Sequence, residues 1–211
     1  SIAVPKILGS SRGNKMPRQI RLKPIGLSVG LLILSLPITT NGFEPIFSQD
    51  NPSLAPFVPS PYDVVQRMLT LAEVTRDDIV YDIGCGDGRI VITAAQRFGA
   101  RGVGIDIDPQ RIAEANANAE RAGVQHLVQF IQQDAMTVDV SEATVVTLYL
   151  LSSSNLKLRP LLTSQLAPGA RIVSHAFSMG DWEPDVLDQY EDERGNTRSL
   201  YLWRHDGTVR D

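Results

Sequence analysis

A length of 211 residues is enough for one sizeable domain and a tail, and a content of 43% hydrophobic and 21% charged residues is typical of a globular protein. The single cysteine, Cys85, excludes an intramolecular disulfide and a site built from several cysteines, and the three histidines lack the spacing of metal ligands. We therefore expect no bound metal.

Charge is divided unevenly along the chain. Residues 1–42 carry six basic residues and no acidic one, which leaves 14 basic and 24 acidic residues from position 43 on, a net charge of −10. An acidic body repels phosphate backbones. We therefore expect no nucleic-acid partner, and a small molecule or a basic protein segment fits better. The sequence leaves the oligomeric state open.

Residues 25–38 form an uncharged, mainly apolar run behind the basic residues Arg18, Arg21 and Lys23. This layout is typical of a signal peptide, and the run is shorter than the ~20 residues that a membrane-spanning helix needs. We predict that residues 1–42 form a signal or membrane-anchor segment, which would associate the protein with a membrane on a side that the sequence leaves open.

Residues 43–61 contain five prolines and little hydrophobic periodicity, which predicts a linker over residues 43–59. The working domain is then residues 60–211. Its hydrophobic pattern alternates between helices and buried strands, which is typical of parallel βαβ units. The predicted helices cover residues 61–74, 87–99, 108–123 and 155–169, and the predicted strands cover 78–84, 101–108, 126–134, 143–151 and 170–177.

Local signals place the helix ends and the last strands. Asp87, Asp108 and Asn155 are predicted N-caps, Gly99 and Gly123 are predicted C-terminal ends, and Pro160 is expected to interrupt its helix. The pattern of residues 186–206 predicts two strands joined at Gly195-Asn196, an antiparallel hairpin. The predicted fold is α/β and doubly wound, with a mostly parallel seven-stranded sheet that ends in this hairpin.

The stretch VYDIGCGDGRI, residues 80–90, places three glycines in the turn between the first predicted strand and the next helix. In an open α/β sheet a ligand binds beyond the carboxyl ends of the strands, and glycine lets it approach the backbone closely. The dinucleotide fingerprint is G-x-G-x-x-G. Here the third glycine comes one position early, which disfavours a nicotinamide-dependent oxidoreductase.

Three acidic residues follow or end successive predicted strands. Asp82 lies two residues before the first glycine, Asp106 ends the second strand, and Asp134 ends the third. Because the carboxyl ends of parallel strands meet at one edge of the sheet, these carboxylates would face one crevice. Such a set suits a ligand that has a ribose, an adenine and an ammonium group but no phosphates.

This arrangement resembles the class I S-adenosylmethionine-dependent methyltransferases, whose first motif is acid-x-G-x-G-x-G, over about residues 57–204. The resemblance implies a Rossmann-like fold and S-adenosyl-L-methionine as cofactor. It also implies that Gly84 and Gly86 line the methionine part, that Asp82 lies beneath it, that Asp106 holds the ribose and that Asp134 lies near the adenine. The predicted cofactor-binding residues are Asp82, Gly84, Cys85, Gly86, Gly88, Asp106, Ile107, Asp134, Ala135 and Thr147.

Two further stretches, VPSPYDVV before the first strand and VVTLYLL with ARIVSHAF around strands four and five, narrow the resemblance. They are similar to bacterial relatives of the mitochondrial protein-lysine methyltransferases that modify the adenine-nucleotide translocase and the c-ring protein of the ATP synthase. A protein lysine is therefore the implied acceptor. The end of strand four lacks the [N/D]-P-P-[Y/F] loop of base-methylating enzymes, which disfavours a nucleic-acid base.

Two other hypotheses stay open from the residues alone. One is a methyltransferase that acts on a small molecule or a lipid quinone, and the other is a catalytically inert protein that binds S-adenosylmethionine. For catalysis, the candidate residues are Tyr149 and Trp182, as aromatic faces for a methylated ammonium, His175, as a base or a buried structural residue, and Asp181, in a loop beside Gly180.

Overall fold

The computed structural model describes residues 57–192 and 194–211, so the predicted signal or anchor segment and most of the predicted linker lie outside the described residues. The helices are α1 (Tyr62–Leu71), α2 (Arg89–Phe98), α3 (Pro109–Ala122) and α4 (Ser152–Gln165), and a short 3-10 helix covers Ala135–Thr137. The strands are β1 (Ile79–Ile83), β2 (Arg101–Asp106), β3 (Val128–Gln132), β4 (Val145–Leu148), β5 (Arg171–His175), β6 (Val186–Glu191) and β7 (Thr197–Arg204). Within the described ranges, none of the helices has the length and apolar character that crossing a membrane requires.

The seven strands form one sheet in the order β3-β2-β1-β4-β5-β7-β6. The first five strands in this order run parallel to one another, and β7 runs antiparallel to both β5 and β6. This confirms the predicted fold class. The strand order reverses between β1 and β4, which places the switch point of the sheet beside the glycine-rich turn.

The core lies on both faces of the sheet because successive strand side chains point to opposite sides. On one face, α4 packs against Tyr81, Leu148 and Trp203. On the other, the apolar side of α1 packs with α2 against Val80 and Val173. Residues of α1 that are fully buried recur at helical spacing, which is why this segment forms an amphipathic helix: Val64, Val65, Met68 and Leu69.

Most predicted helix ends are confirmed. The side chain of Asp108 accepts a hydrogen bond from the backbone N–H of Gln110 at 2.8 Å and so caps α3, while Gly99 and Gly123 end α2 and α3 in the left-handed conformation.

Three local predictions are wrong. Residue Gly88, not Asp87, is the N-cap of α2, and the carboxylate of Asp87 binds the Arg89 side chain instead. Helix α4 begins at Ser152, so Asn155 lies inside it and is fully buried. Its amide donates to Ser174 Oγ and to the Phe177 carbonyl, and these tertiary bonds replace the expected cap. The same helix runs through Pro160 as one continuous element, although proline removes a helical hydrogen bond.

Buried Asp78 connects several elements at the end of the sheet opposite the glycine turn. One carboxylate oxygen accepts from the N–H of Thr75 at 2.7 Å, and the other accepts from Thr144 Oγ1 at 2.7 Å and from the Arg171 guanidinium. The guanidinium also donates to the Ala72 carbonyl at 2.7 Å. One carboxylate therefore connects the starts of β1, β4 and β5 with the end of α1.

Candidate active site

A cavity of about 450 Å³ lies at the carboxyl ends of β1, β2 and β4, at the switch point of the sheet. Its volume is within the range of roughly 300–1,000 Å³ that small-molecule sites have. Seven of the ten predicted cofactor-binding residues border it: Asp82, Gly84, Cys85, Asp106, Ile107, Asp134 and Ala135. The other three, Gly86, Gly88 and Thr147, do not.

The turn between β1 and α2 needs glycine for two separate reasons. Gly84 and Gly86 have φ angles of +78° and +53°, which side chains rarely tolerate. A Cβ atom on Gly84 would also lie 2.9 Å from a methyl group of Leu150, and one on Gly86 would overlap the ring of Phe57. Gly84 therefore presents bare backbone to the cavity, whereas Gly86 makes room for an aromatic ring.

Asp106 is fixed by the backbone of both neighbouring turns. One oxygen accepts from the N–H of Gly86 at 2.9 Å and the other from the N–H of Asp108 at 3.0 Å. Because each carboxylate oxygen can accept more than one hydrogen bond, Asp106 retains capacity for a ligand. Asp134 caps the 3-10 helix by accepting from the N–H of Met136 at 2.9 Å, and it borders the same cavity.

Asp82 is 2% exposed and accepts a hydrogen bond from Thr147 Oγ1 at 2.8 Å. Burial raises its pKa to about 7, the nearby charges of Asp106 and Asp87 add to the rise, and the bond from Thr147 opposes it. Thr147 is fully buried, so it contacts the site through Asp82 rather than directly.

This raised pKa gives a testable dependence of stability on pH. The pKa of Asp82 is about 7 in the folded protein against an ordinary value of 3.8, so the folded state binds the proton more tightly and loses stability as pH rises between these values. We expect Asp82→Asn to remove this loss. Without added ligand, the free energy of unfolding of the variant minus that of the wild type should therefore rise by on the order of 2 kcal/mol from about pH 5 to about pH 8.

Urea denaturation of both chains at the two pH values measures this difference. If the two chains instead differed by the same free energy at both pH values, the ionisation of Asp82 would not be the cause.

The charges around the cavity favour a cationic ligand. Five bordering residues are acidic: Asp82, Asp87, Asp106, Asp108 and Asp134. The two bordering arginines are engaged, since Arg89 binds the carboxylate of Asp87 through Nε at 2.9 Å and Nη2 at 2.6 Å. Arg111 lies over the ring of Phe57 at 4.1 Å and donates to Glu114 at 2.7 Å. This set fits the sulfonium and ammonium groups of S-adenosylmethionine better than the phosphates of a dinucleotide.

One wall of the cavity comes from residues 57–60, which span the predicted boundary between the linker (43–59) and the working domain (60–211). The carbonyl of Ser60 accepts from Arg89 Nη1 at 2.8 Å, and its hydroxyl is 3.0 Å from Nδ1 of His175. The hydrophobic periodicity of the sequence does not indicate that these residues border a site. The available signal was the stretch VPSPYDVV, whose resemblance points to a functional role without saying which residue has it.

Two of the predicted catalytic residues meet beside the cavity. Tyr149 borders it, and its ring stacks on His175 with a centroid distance of 4.0 Å. His175 is 1% exposed and lies behind the residues that line the cavity. Burial, together with the charge of Arg198 and against the opposing charge of Asp63, lowers the pKa of His175 to about 4, so its imidazole is neutral at physiological pH.

The other two predicted catalytic residues do not border this cavity. Asp181 is exposed and pairs with Arg159 at 2.5 Å, and Trp182 packs on Trp203 with a centroid distance of 5.8 Å. Both border a separate surface recess. The indole N–H of Trp203 donates to the carbonyl of Trp182 at 2.8 Å, which holds this loop against β7 and away from the cavity.

Comparison with known proteins agrees with this geometry. Residues 82–186 match the family described as the ANTKMT methyltransferase domain. A protein-lysine N-methyltransferase of Saccharolobus islandicus (strain REY15A) is 48% identical over 149 residues, which cover 70% of this chain and 92% of that protein. An adenine nucleotide translocase lysine N-methyltransferase of Mus musculus is 31% identical, over 61% of this chain and 56% of its own length.

Among solved structures, an RNA methyltransferase from Salinibacter ruber in complex with S-adenosyl-L-homocysteine matches with a TM-score of 0.68 and 52% identity. The match covers 73% of this chain and 97% of that one. These relatives share a methyltransferase name and differ in the acceptor that their names give.

Proposed function

This chain belongs to the S-adenosylmethionine-dependent methyltransferases of the ANTKMT family, and from that premise we propose that it methylates a lysine side chain of a protein. The observation that carries the proposal is the 48% identity to a protein-lysine N-methyltransferase over 92% of that protein. The acidic body supports it, since a net charge of −10 from residue 43 on attracts a lysine-bearing segment.

The residues that would hold the cofactor end or follow three neighbouring strands, and each would contact a different part of it. Gly84 would present backbone to the methionine part, Asp106 would accept hydrogen bonds from the ribose, and Asp134 would lie near the adenine. Bound S-adenosylmethionine supplies a methyl group activated by the sulfonium charge. A cationic ligand near Asp82 favours the ionised carboxylate, which opposes the effect of burial on its pKa. The enzyme then has to align an acceptor and exclude water.

RNA is the second candidate acceptor, because a structure 52% identical to this chain is described as an RNA methyltransferase. The charge argues against it. The described residues that border the cavity include five acids and two arginines, and both arginines are already engaged by protein groups. An acidic surface repels a phosphate backbone.

A labelling experiment separates the acceptors. The full chain is incubated with S-adenosylmethionine carrying a labelled methyl group and an extract of the source cells, which is then divided into protein, nucleic-acid and organic fractions. Label on lysine in the protein fraction, located by mass spectrometry, is the expected result. Label in the nucleic-acid fraction would move the acceptor to RNA, and label in the organic fraction would move it to a lipid or quinone.

Asp106→Asn is the matched control for the cofactor site. Asparagine offers one amide oxygen where the carboxylate offers two, so it cannot accept from both backbone N–H groups and from a ribose. We expect the variant to bind S-adenosylmethionine roughly 10- to 100-fold more weakly, as calorimetric titration would measure. Asp139→Asn, on the exposed surface, should leave the affinity unchanged. An affinity equal to that of the wild type in Asp106→Asn would contradict this assignment.

We further propose that residues 25–38 associate the protein with a membrane, which the preceding basic residues and the uncharged apolar run support. Fractionation of source cells tests this. The full chain should sediment with membranes, and a variant with Leu32→Glu and Leu34→Glu should not. Wild-type protein found entirely in the soluble fraction would exclude the proposal.

A further inference from the structure

Ser60 lies in the cavity wall, and its backbone is attached to the glycine-rich turn through Arg89. It borders the cavity while only 3% of its surface is exposed. Its carbonyl accepts from Arg89 Nη1 at 2.8 Å, and Arg89 binds both oxygens of Asp87 in the glycine-rich turn. These bonds fix Ser60 relative to the place where the methyl donor would bind.

The hydroxyl of Ser60 has a buried partner that orients it. Its Oγ lies 3.0 Å from Nδ1 of His175, 115 residues further along the chain. Burial and the charge of Arg198 lower the pKa of His175, so the imidazole stays neutral and its unprotonated nitrogen can accept. When Nδ1 accepts, the hydroxyl hydrogen points towards His175 and the lone pairs of Oγ are left for another donor.

Ser60 and His175 also lie on the side of the cavity opposite the carboxylates that would bind the cofactor. Asp106 ends β2 and Asp134 follows β3, on one side of β1. His175 ends β5 and Tyr149 follows β4, on the other side, where Tyr149 stacks on the His175 ring at 4.0 Å. An acceptor that approaches the methyl group from the β4 and β5 side would meet Tyr149 and Ser60.

We propose that Ser60 is a catalytic residue that accepts a hydrogen bond from the substrate amine, with His175 as the positioning residue that orients its hydroxyl. This inference rests on the proposed lysine methylation. The lysine ammonium first releases one proton to solvent. The amine lone pair then forms the N–CH₃ bond while the S–CH₃ bond breaks and its electron pair stays on sulfur. A hydrogen bond from the amine N–H to Ser60 Oγ would turn the lone pair towards the methyl group.

Four variants test the assignment: Ser60→Ala, Ser60→Thr, His175→Phe and His175→Asn. Phenylalanine retains an aromatic ring against Tyr149 and removes the acceptor, whereas the amide oxygen of asparagine replaces Nδ1. The readouts are the initial rate of label transfer to the protein fraction at saturating S-adenosylmethionine, the affinity for that cofactor, and the thermal midpoint.

We expect Ser60→Ala and His175→Phe to lower the initial rate of label transfer roughly 10- to 100-fold while the affinity for S-adenosylmethionine changes less than about twofold. His175→Asn and Ser60→Thr should recover most of the rate. An initial rate in Ser60→Ala equal to that of the wild type would overturn the inference, and so would a loss of cofactor affinity that matches the loss of rate. Absence of label with the wild-type chain would overturn the proposed function, and this inference with it, whereas label that Ser60→Ala leaves unchanged would overturn this inference alone.

Discussion

Replacing Gly84 with alanine should weaken the binding of S-adenosylmethionine roughly 10- to 100-fold, because a packed site that must accept extra atoms loses about 1–3 kcal/mol. The new Cβ would lie 2.9 Å from a methyl group of Leu150, which itself borders the cavity. The side chain of Leu150 would have to shift, and because both residues border the cavity, the shape of the wall that faces the cofactor would change. Calorimetric titration of the purified variant measures the effect.

Gly123→Ala is the matched control for backbone strain. Gly123 ends α3 with a φ of +71°, close to the +78° of Gly84, and a Cβ there meets no atom within 4 Å. Both variants should lose about 1–2 kcal/mol of stability from the left-handed conformation, but only Gly84→Ala should lose affinity. Equal losses of affinity would show that general destabilisation, rather than the cavity wall, explains the result.

Asp78→Ala should lower the free energy of unfolding by about 3–5 kcal/mol, because it leaves a largely buried arginine charge without its carboxylate partner. The side chain of Asp78 is 8% exposed and that of Arg171 is 14% exposed. Thr75 and Thr144 lose their acceptor in the same change. Urea denaturation of the wild type and the variant measures the difference.

Asp188→Ala gives the comparison at the surface. Asp188 binds Arg67 through two hydrogen bonds of 2.5 and 2.8 Å, but the Arg67 side chain is 47% exposed. Water screens such a pair, so its loss should cost no more than about 1 kcal/mol. If both variants lost the same stability, burial of the Asp78 pair would have no special effect.

The parts of the site that could be predicted from the sequence are those that local chemistry determines. Gly84 has to be glycine because of its own backbone angle and close contacts. Asp106 and Asp134 could be placed because parallel strands bring their carboxyl ends to one edge, whatever the rest of the chain does. The alternation of apolar runs and helical patterns predicted the fold class for the same reason.

The parts that could not be predicted depend on distant partners. The contact between Ser60 and His175 joins residues 115 positions apart, and nothing around Ser60 in the sequence indicates it. Asn155 has the sequence context of a helix cap, and only its amide bonds to Ser174 and Phe177 show its different role. Trp182 follows the fifth strand in the sequence, which suggests a place beside the crevice. In the structure the indole N–H of Trp203 binds its carbonyl and holds it against β7.

The order of the sheet has a consequence for how the chain is made. β7 lies between β5 and β6, although the ribosome synthesises it after both. His175 pairs with Leu200, so the strand that carries it keeps an open edge until residues 197–204 have emerged. An open, apolar strand edge promotes association with other chains. Nascent chains that stall before residue 197 should therefore depend on chaperones to stay soluble.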